Sequence, residues 1–296
     1  MWPFKKKKEK QSLTITKGFY LSLLAGPELF PPLLQIINPQ GSNQAVKGYG
    51  APLDDKASKD MLNQPLIEGS YVLSSPEKLT LIQMSIVPVS KLKGFSLPDD
   101  PVLCSGVDLT PEKLNRARSA TILTDFVFAK TSPDVYQAVQ FLVDCVSRFA
   151  SLTNGIIGDS LAETYRYAHE INPQPKLHSL IDFRSIGSVK AIRQADGVWV
   201  STRGLCKFNL PEFEVYGIPD ELVNTSAQML ISAGQQSLIE QFMHEGETAF
   251  AIKSPLLIVN GTRNKEFWKD RPVLEFKDPD EQGARKGVQA WKETQS

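Results

Sequence analysis

Polar and apolar positions alternate most regularly over residues 197–217, GVWVSTRGLCKFNLPEFEVYG. In an extended chain Trp199, Ser201 and Arg203 face one way, and Val198, Val200 and Thr202 face the other. Further on, Phe213 and Val215 alternate with Glu212, Glu214 and Tyr216. The pattern predicts two strands, with Gly204 or Asn209 supplying the positive φ their turn needs. A helical period appears upstream. Val135, Val139, Leu142, Val146 and Phe149 form one stripe, opened by Ser132-Pro133-Asp134 and closed by a left-handed turn at Asn154-Gly155. Downstream, Pro219-Asp220 opens a second helical run carrying Leu222, Leu230, Leu238 and Phe242, with Gly234 weakening its middle.

Weaker signals fill in the rest. Thr110-Pro111-Glu112 opens a short helix to about Ser119, because threonine caps free amides and proline fits the first helical position. Residues 71–73, 79–87 and 120–129 are rich in apolar, β-branched and aromatic residues and read as strands. Ile156-Ile157 is a short strand, residues 162–170 are helical, residues 177–186 are extended, and residues 249–259 are a strand interrupted by Pro255. From Ala120 the order β, α, β, α, β, β, β, α predicts an α+β fold: a two-layer sandwich of a mixed sheet with helices mainly on one face. The expected organisation is a basic flexible start (1–12), an N-terminal α+β region (13–100), a C-terminal α+β domain (101–276) and a disordered polar tail (277–296) whose obvious hydrophobe is Trp291. Within the N-terminal region, Pro39, Gly41, Gly48, Gly50, Pro52 and Pro65 mark residues 39–65 as a linker or long loop.

Charge changes this picture little. Lysines plus arginines balance aspartates plus glutamates at 33 each, so no global field attracts nucleic acid. The balance hides one asymmetry: residues 1–10, MWPFKKKKEK, carry +4 and the remaining 286 residues −4. Trp2 and Phe4 beside Lys5, Lys6, Lys7 and Lys8 suit weak contact with an anionic membrane surface, each lysine contributing about 1 kcal/mol; the alternative is a solubilising tail. That start lacks the apolar core of a signal peptide, and no run is long enough to span a membrane. Cys104, Cys145 and Cys206 give an odd count without a CxxC pair, which reads as reduced thiols in a cytoplasm.

Candidate chemistry is sparse. Gly158-Asp159-Ser160-Leu161 resembles the signature of the GDSL lipases and esterases, which would make Ser160 a nucleophile. Such a serine needs a histidine base and an acid to orient it. The family's Asp-x-x-His and Gly-x-Asn-Asp blocks are missing, so the four residues read as a turn with a helix cap. Cys206, beside Lys207 and near Arg203, has the electropositive setting that lowers a thiol pKa, but no histidine lies nearby in sequence. His169, His178 and Asp182 do not form a metal-binding spacing on an extended segment. No phosphate-binding glycine loop occurs, so no cofactor is expected.

Polar density is greatest at Thr202, Arg203, Lys207, Glu212 and Glu214. Paired strands would set Arg203 or Lys207 opposite the glutamates. This is either a solvated face with cross-strand ion pairs or a binding face whose cations grip a partner's carboxylate or phosphate. Residues 202–212, TRGLCKFNLPE, resemble an uncharacterised bacterial family with the segment Thr-[Arg/His]-Gly-[Leu/Met]-x-Lys-Phe-Gly-[Leu/Arg]-Pro-[Glu/Asp]. Asn209 stands where that family has glycine, and asparagine is the best substitute at positive φ. The resemblance covers residues 80–245 and implies bacterial origin and architecture, not a reaction. The sequence therefore points to a non-catalytic binding or accessory protein of the bacterial cytoplasm, meeting another protein around the 197–217 hairpin. The alternative is a serine or cysteine hydrolase using Ser160 or Cys206.

Overall fold

Strand pairing sorts the chain into two sheets in the computed structural model, which describes residues 12–26, 30–37, 48–53, 63–94, 110–171, 181–239, 241–250, 253–279 and 283–295. The first sheet holds β1 (Tyr20–Ala25), β2 (Tyr49–Pro52), β3 (Gly69–Ser74), β4 (Leu81–Pro88), β5 (Ile122–Lys130), β6 (Ile156–Asp159) and β7 (Thr164–Arg166). Their order is β2-β3-β4-β5-β1-β6-β7, with all neighbours antiparallel. The regions expected to meet at residue 100 thus share one sheet, because β4 pairs with β5 and β1 lies between β5 and β6.

Three helices accompany this sheet: α1 (Leu33–Ile36), α2 (Pro111–Arg118) and α3 (Val135–Thr153). The helix starts follow the sequence pattern. Thr110 Oγ1 accepts from the Lys113 amide, and Asp134 accepts from the Tyr136 and Gln137 amides. Asn154 ends α3 at φ 49°. The predicted stripe of Val135, Val139, Leu142, Val146 and Phe149 is buried in the main core. Phe149 stacks on Phe30 and meets Phe126 edge-on. On the opposite face Ala117 of α2 packs with Leu24 and Ile156.

The second sheet holds β8 (Ser188–Gln194), β9 (Gly197–Arg203), β10 (Glu212–Ile218), β11 (Thr248–Ala249), β12 (Leu256–Asn260) and β13 (Val273–Lys277), in the order β11-β12-β13-β10-β9-β8. It is mixed: β10 and β13 run parallel and the other neighbours antiparallel. Four helices belong to this half: α4 (Phe183–Ile186), α5 (Val223–Leu238), α6 (Lys265–Trp268) and α7 (Arg285–Thr294). Helix α5 lies against β8, β9 and β10, burying Met229, Leu230, Ala233 and Leu238. The fold is α+β, as the sequence predicts.

Four local expectations need correction. Residues 39–65, expected to be a linker or long loop, contribute β2, whose residues pair with Tyr71–Ser74 at the sheet edge. Within residues 162–170 the structure has β7 and a 3-10 turn instead of a helix. Glu163 takes φ 53° at a tight turn, and Thr164 and Tyr165 pair back onto β6. Of the segment expected to be extended, residues 177–180 lie outside the described residues, and α4 occupies Phe183–Ile186. The tail expected to be disordered contains α7. Ala284, Val288 and Trp291 recur at i, i+4, i+7 and pack on the core, and the Asp278 carboxylate accepts from the Lys286 and Gly287 amides to cap the helix start. Polar neighbours mask that stripe in the sequence. The basic stretch with Trp2, Phe4, Lys5, Lys6, Lys7 and Lys8 lies outside the described residues, as do Cys104 and His178.

Candidate functional site

The hairpin expected over residues 197–217 forms from β9 and β10, and its connection explains the segment's composition. Gly204 at φ 108° and Asn209 at φ 57° bracket a 3-10 turn over Leu205–Phe208. Both positions flagged for positive φ adopt it. A side chain at Gly204 would also meet the Ile186 carbonyl, 2.8 Å from its Cβ.

Thr202, Arg203, Lys207, Glu212 and Glu214 are all 0% exposed. They form no solvated face, and the two cations are not opposite the two glutamates in ion pairs. Buried polar groups seek partners, and each of these residues finds at least one, although Arg203 Nη2 donates and Glu214 Oε1 accepts no hydrogen bond among the described residues. Glu212 Oε1 accepts from the Gly204 and Cys206 amides at 2.8 and 3.1 Å, and its Oε2 accepts from Thr202 Oγ1 at 2.7 Å. Thr202 Oγ1 in turn accepts from the Phe213 amide at 2.8 Å. This ring of bonds holds the turn closed. Lys207 leaves the hairpin altogether. Its ammonium pairs with Asp159 at the end of β6 and donates to the Ile186 carbonyl, lying 5.1 Å from the centre of the Phe19 ring. Burial pulls its pKa down, and Asp159 opposes that pull.

Lys207 is one stitch in a longer seam. Arg166 on β7 donates to the Ser185 and Gly187 carbonyls, both at 2.6 Å. Ser188 Oγ donates to the Ala162 carbonyl and Lys190 Nζ to the Glu163 carbonyl, at 2.5 and 2.8 Å. The β6–β7 hairpin of the first sheet is thereby joined to the β8 and β9 side of the second. Asp159 supports the seam from below, accepting from the Leu161 and Ala162 amides. The predicted turn at Gly158-Asp159-Ser160 exists, but it leads into β7 and not into a helix.

Arg203, the cross-strand partner of Ser188, lies on the same face of the second sheet as Ser188 and Lys190 and is boxed by aromatic rings. Its guanidinium carbon lies 4.4 Å from the Trp268 ring centre, 4.6 Å from Phe267 and 5.2 Å from Trp199, distances within the cation–π range. Nη1 donates to Ser201 Oγ and the Thr202 carbonyl, and Nε pairs with Glu163 at 3.3 Å. Burial lowers its pKa, offset by Glu163, Glu212 and Glu214. Beside it, Glu214 Oε2 accepts from the indole nitrogens of Trp199 and Trp268 at 3.0 and 2.8 Å. Glu214 is in register with Glu275 on parallel β13, and Glu275 pairs with Arg263 at 3.4 Å. Burial raises the pKa of both carboxyls; the indole bonds and Arg203 oppose the rise at Glu214, while at Glu275 Arg263 and Lys277 oppose it and Glu214 adds to it.

No family model, curated protein or solved structure matches this chain. Geometry alone must then decide between the chemical candidates. Ser160 is exposed, and its hydroxyl bonds the Tyr20 hydroxyl at 3.0 Å, while His169 stacks on Tyr167. The Cys206 thiol is pushed up to about 11, by burial first and by Glu212 second. The electropositive neighbourhood that its sequence suggests is outweighed. Among the described residues no group of three His, Cys, Asp or Glu is placed to hold a metal ion. Two open grooves of about 900 Å³ each flank the fold. One runs along α5 and α7, past Arg184, Asn224, Gln228 and Trp291. The other lies between α2 and the end of α3, past Glu112, Arg116, Tyr167 and His169.

Asp159, Glu163, Arg166, Arg263, Trp268 and Glu275 complete the site without having stood out as its members in the sequence. None of them carried a usable signal, since residues 273–277, VLEFK, are too short and too apolar at their start to mark a strand by alternation.

Proposed function

We propose that the chain is a non-catalytic binding protein of the bacterial cytoplasm, and that its contact face is the loop of residues 261–272 seated on the 197–217 hairpin. The observation that carries this reading is Phe267, which is 38% exposed while its ring is held edge-on by Trp199 and Trp268 at 5.3 and 5.0 Å. An exposed aromatic fixed on a rigid platform loses little freedom on binding, and aromatic and arginine side chains supply most hot-spot energy at interfaces. The loop also carries Arg263, Lys265, Lys269 and Arg271 against Glu266 and Asp270. Its net positive charge favours an acidic protein partner. The five buried hairpin side chains then support the face without touching the partner.

Bacterial origin is supported by the resemblance of residues 202–212, and a reducing compartment by Cys145 and Cys206, which are free thiols. Among the described residues no helix is long and apolar enough to cross a membrane. Contact of the basic start with a membrane surface is a separate proposal, tested by liposome flotation with and without residues 1–10. The hydrolase alternative gains no comparable support, given the Ser160 contact with Tyr20 and a Cys206 thiol held protonated.

The test is a pull-down from a bacterial lysate with a photo-crosslinker replacing Lys265, comparing wild type with Phe267→Ala/Arg263→Glu. The proposal expects one acidic protein captured by wild type and at least tenfold less by the variant. Equal capture by both removes the loop as the contact face. Labelling by a fluorophosphonate probe that is lost on Ser160→Ala would revive the hydrolase.

A further inference from the structure

The loop of residues 261–272 returns to its starting point, the Gly261 amide donating to the Val273 carbonyl at 2.9 Å. It is thus an Ω-type loop, closed at its base, and it covers two acids. Glu214 and Glu275 are partners in the parallel ladder, on strands about 4.8 Å apart. Each acid ties down a different part of the loop. Glu214 Oε2 accepts the Trp268 indole, and Glu275 pairs with Arg263. Glu214 Oε1 is buried and has no hydrogen-bond partner among the described residues. It abuts Gly261 so closely that a Cβ there would lie 2.4 Å away. Lys269, just past α6, holds φ 54° and ψ −118°, a conformation that persists only where surrounding contacts enforce it.

The charges around the two acids do not balance. Arg203 faces them from β9 and Arg263 from the loop, with Lys277 further along β13. Glu212 lies on β10, as does Tyr216, whose hydroxyl favours the ionised form of Glu214, and Glu163 approaches through Arg203. Asp196, in the β8–β9 turn, draws on Arg263 at 3.9 Å. Glu163, Glu212 and Asp196 already compete for the two arginines. Two neighbouring buried carboxylates do not both ionise without cost.

We propose that Glu214 and Glu275 share a proton beneath the loop of residues 261–272, and that losing it releases the loop. The unpartnered Glu214 Oε1 and the in-register acids are the geometric basis, and burial raises both carboxyls above 4.5. The sign follows from linkage: the closed loop binds the proton more tightly than the open one. Closure is therefore complete below the ordinary glutamate value and weakens as pH rises from it toward the closed-state value, by up to about tenfold per pH unit. Release would carry Phe267 and Arg263 with it, so a consequence for partner binding rests on the function proposed above; the latch itself does not.

Hydrogen exchange of the loop amides in the full chain, corrected for intrinsic rates and followed together with tryptophan fluorescence from pH 4 to 9, tests this. Wild type should lose protection over residues 261–272 by at least tenfold across that range, while Glu275→Gln holds it level. Infrared spectra of wild type should show a protonated carboxyl at pH 6 that Glu214→Gln/Glu275→Gln lacks. Because burial also raises the Asp144 carboxyl to about 6, the spectra are compared in an Asp144→Asn background, and if Glu275→Gln does not fold, loss of the band in Glu214→Gln decides. Protection independent of pH in wild type, an unchanged slope in a folded Glu275→Gln, or no protonated carboxyl at pH 6 would each overturn the proposal. A pH-dependent loop with unchanged partner capture would instead uphold the latch and count against the contact face.

Discussion

Thr202 illustrates how a hydroxyl in an alternating strand becomes structural. Its side chain donates to Glu212 and accepts from the Phe213 amide, with no solvent contact. Thr202→Val keeps the shape and deletes both bonds, leaving a buried amide and a carboxylate oxygen unpaired. The expected loss is about 2–3 kcal/mol, read as a lower urea midpoint at unchanged m-value. Cys206 gives a second residue-scale outcome. With its thiol at about 11, the thiolate fraction at pH 7.5 is on the order of three in ten thousand. Iodoacetamide should therefore label Cys206 at neutral pH far more slowly than a free thiol. Glu212→Gln, which removes the neighbouring charge, should speed labelling, and fast labelling of wild type would contradict the assignment. The alternation in residues 197–203 placed each side chain on its correct side of β9. It misjudged the surroundings, because Lys207 meets Asp159 across 48 residues of sequence, and nothing local encodes that meeting.

Elements were legible where their ends carry their own chemistry. Helices α2 and α3 have side-chain caps and a stripe, and the turn at Gly204 and Asn209 has the residues that positive φ requires. Strands β8 and β13 and helix α7 were not. Strand β8 alternates weakly because Ser188 and Lys190 point into the polar seam. Strand β13 is five residues long, and its position beside β10 is set by a parallel pairing that crosses from Glu212 to Val273. Helix α7 depends on a distant cap. Asp278→Ala removes the acceptor of the Lys286 and Gly287 amides, and should cost about 0.5–2 kcal/mol while deprotecting the α7 amides first. Unchanged exchange in α7 would mean that its apolar stripe alone holds it.

At the scale of the whole molecule, the helix and strand content made the α+β class legible, while the division into two sheets was not. That division depends on non-local pairings, above all β1 lying between β5 and β6. What joins the sheets on one side is the seam of Asp159, Arg166, Ser188, Lys190 and Lys207. The most ionic stretch of the hairpin is therefore an internal fastening, anchored by the buried Lys207–Asp159 pair. Breaking one partner of a buried pair costs about 3–5 kcal/mol, far above the ~0–1 kcal/mol of an exposed pair. The direct measurement is a double-mutant cycle of Lys207→Met and Asp159→Asn by urea unfolding. A buried fastening predicts a large loss for Lys207→Met alone and a coupling of about 2–3 kcal/mol between the two sites. Small losses that add within about 0.5 kcal/mol would place Lys207 in solvent and contradict the account.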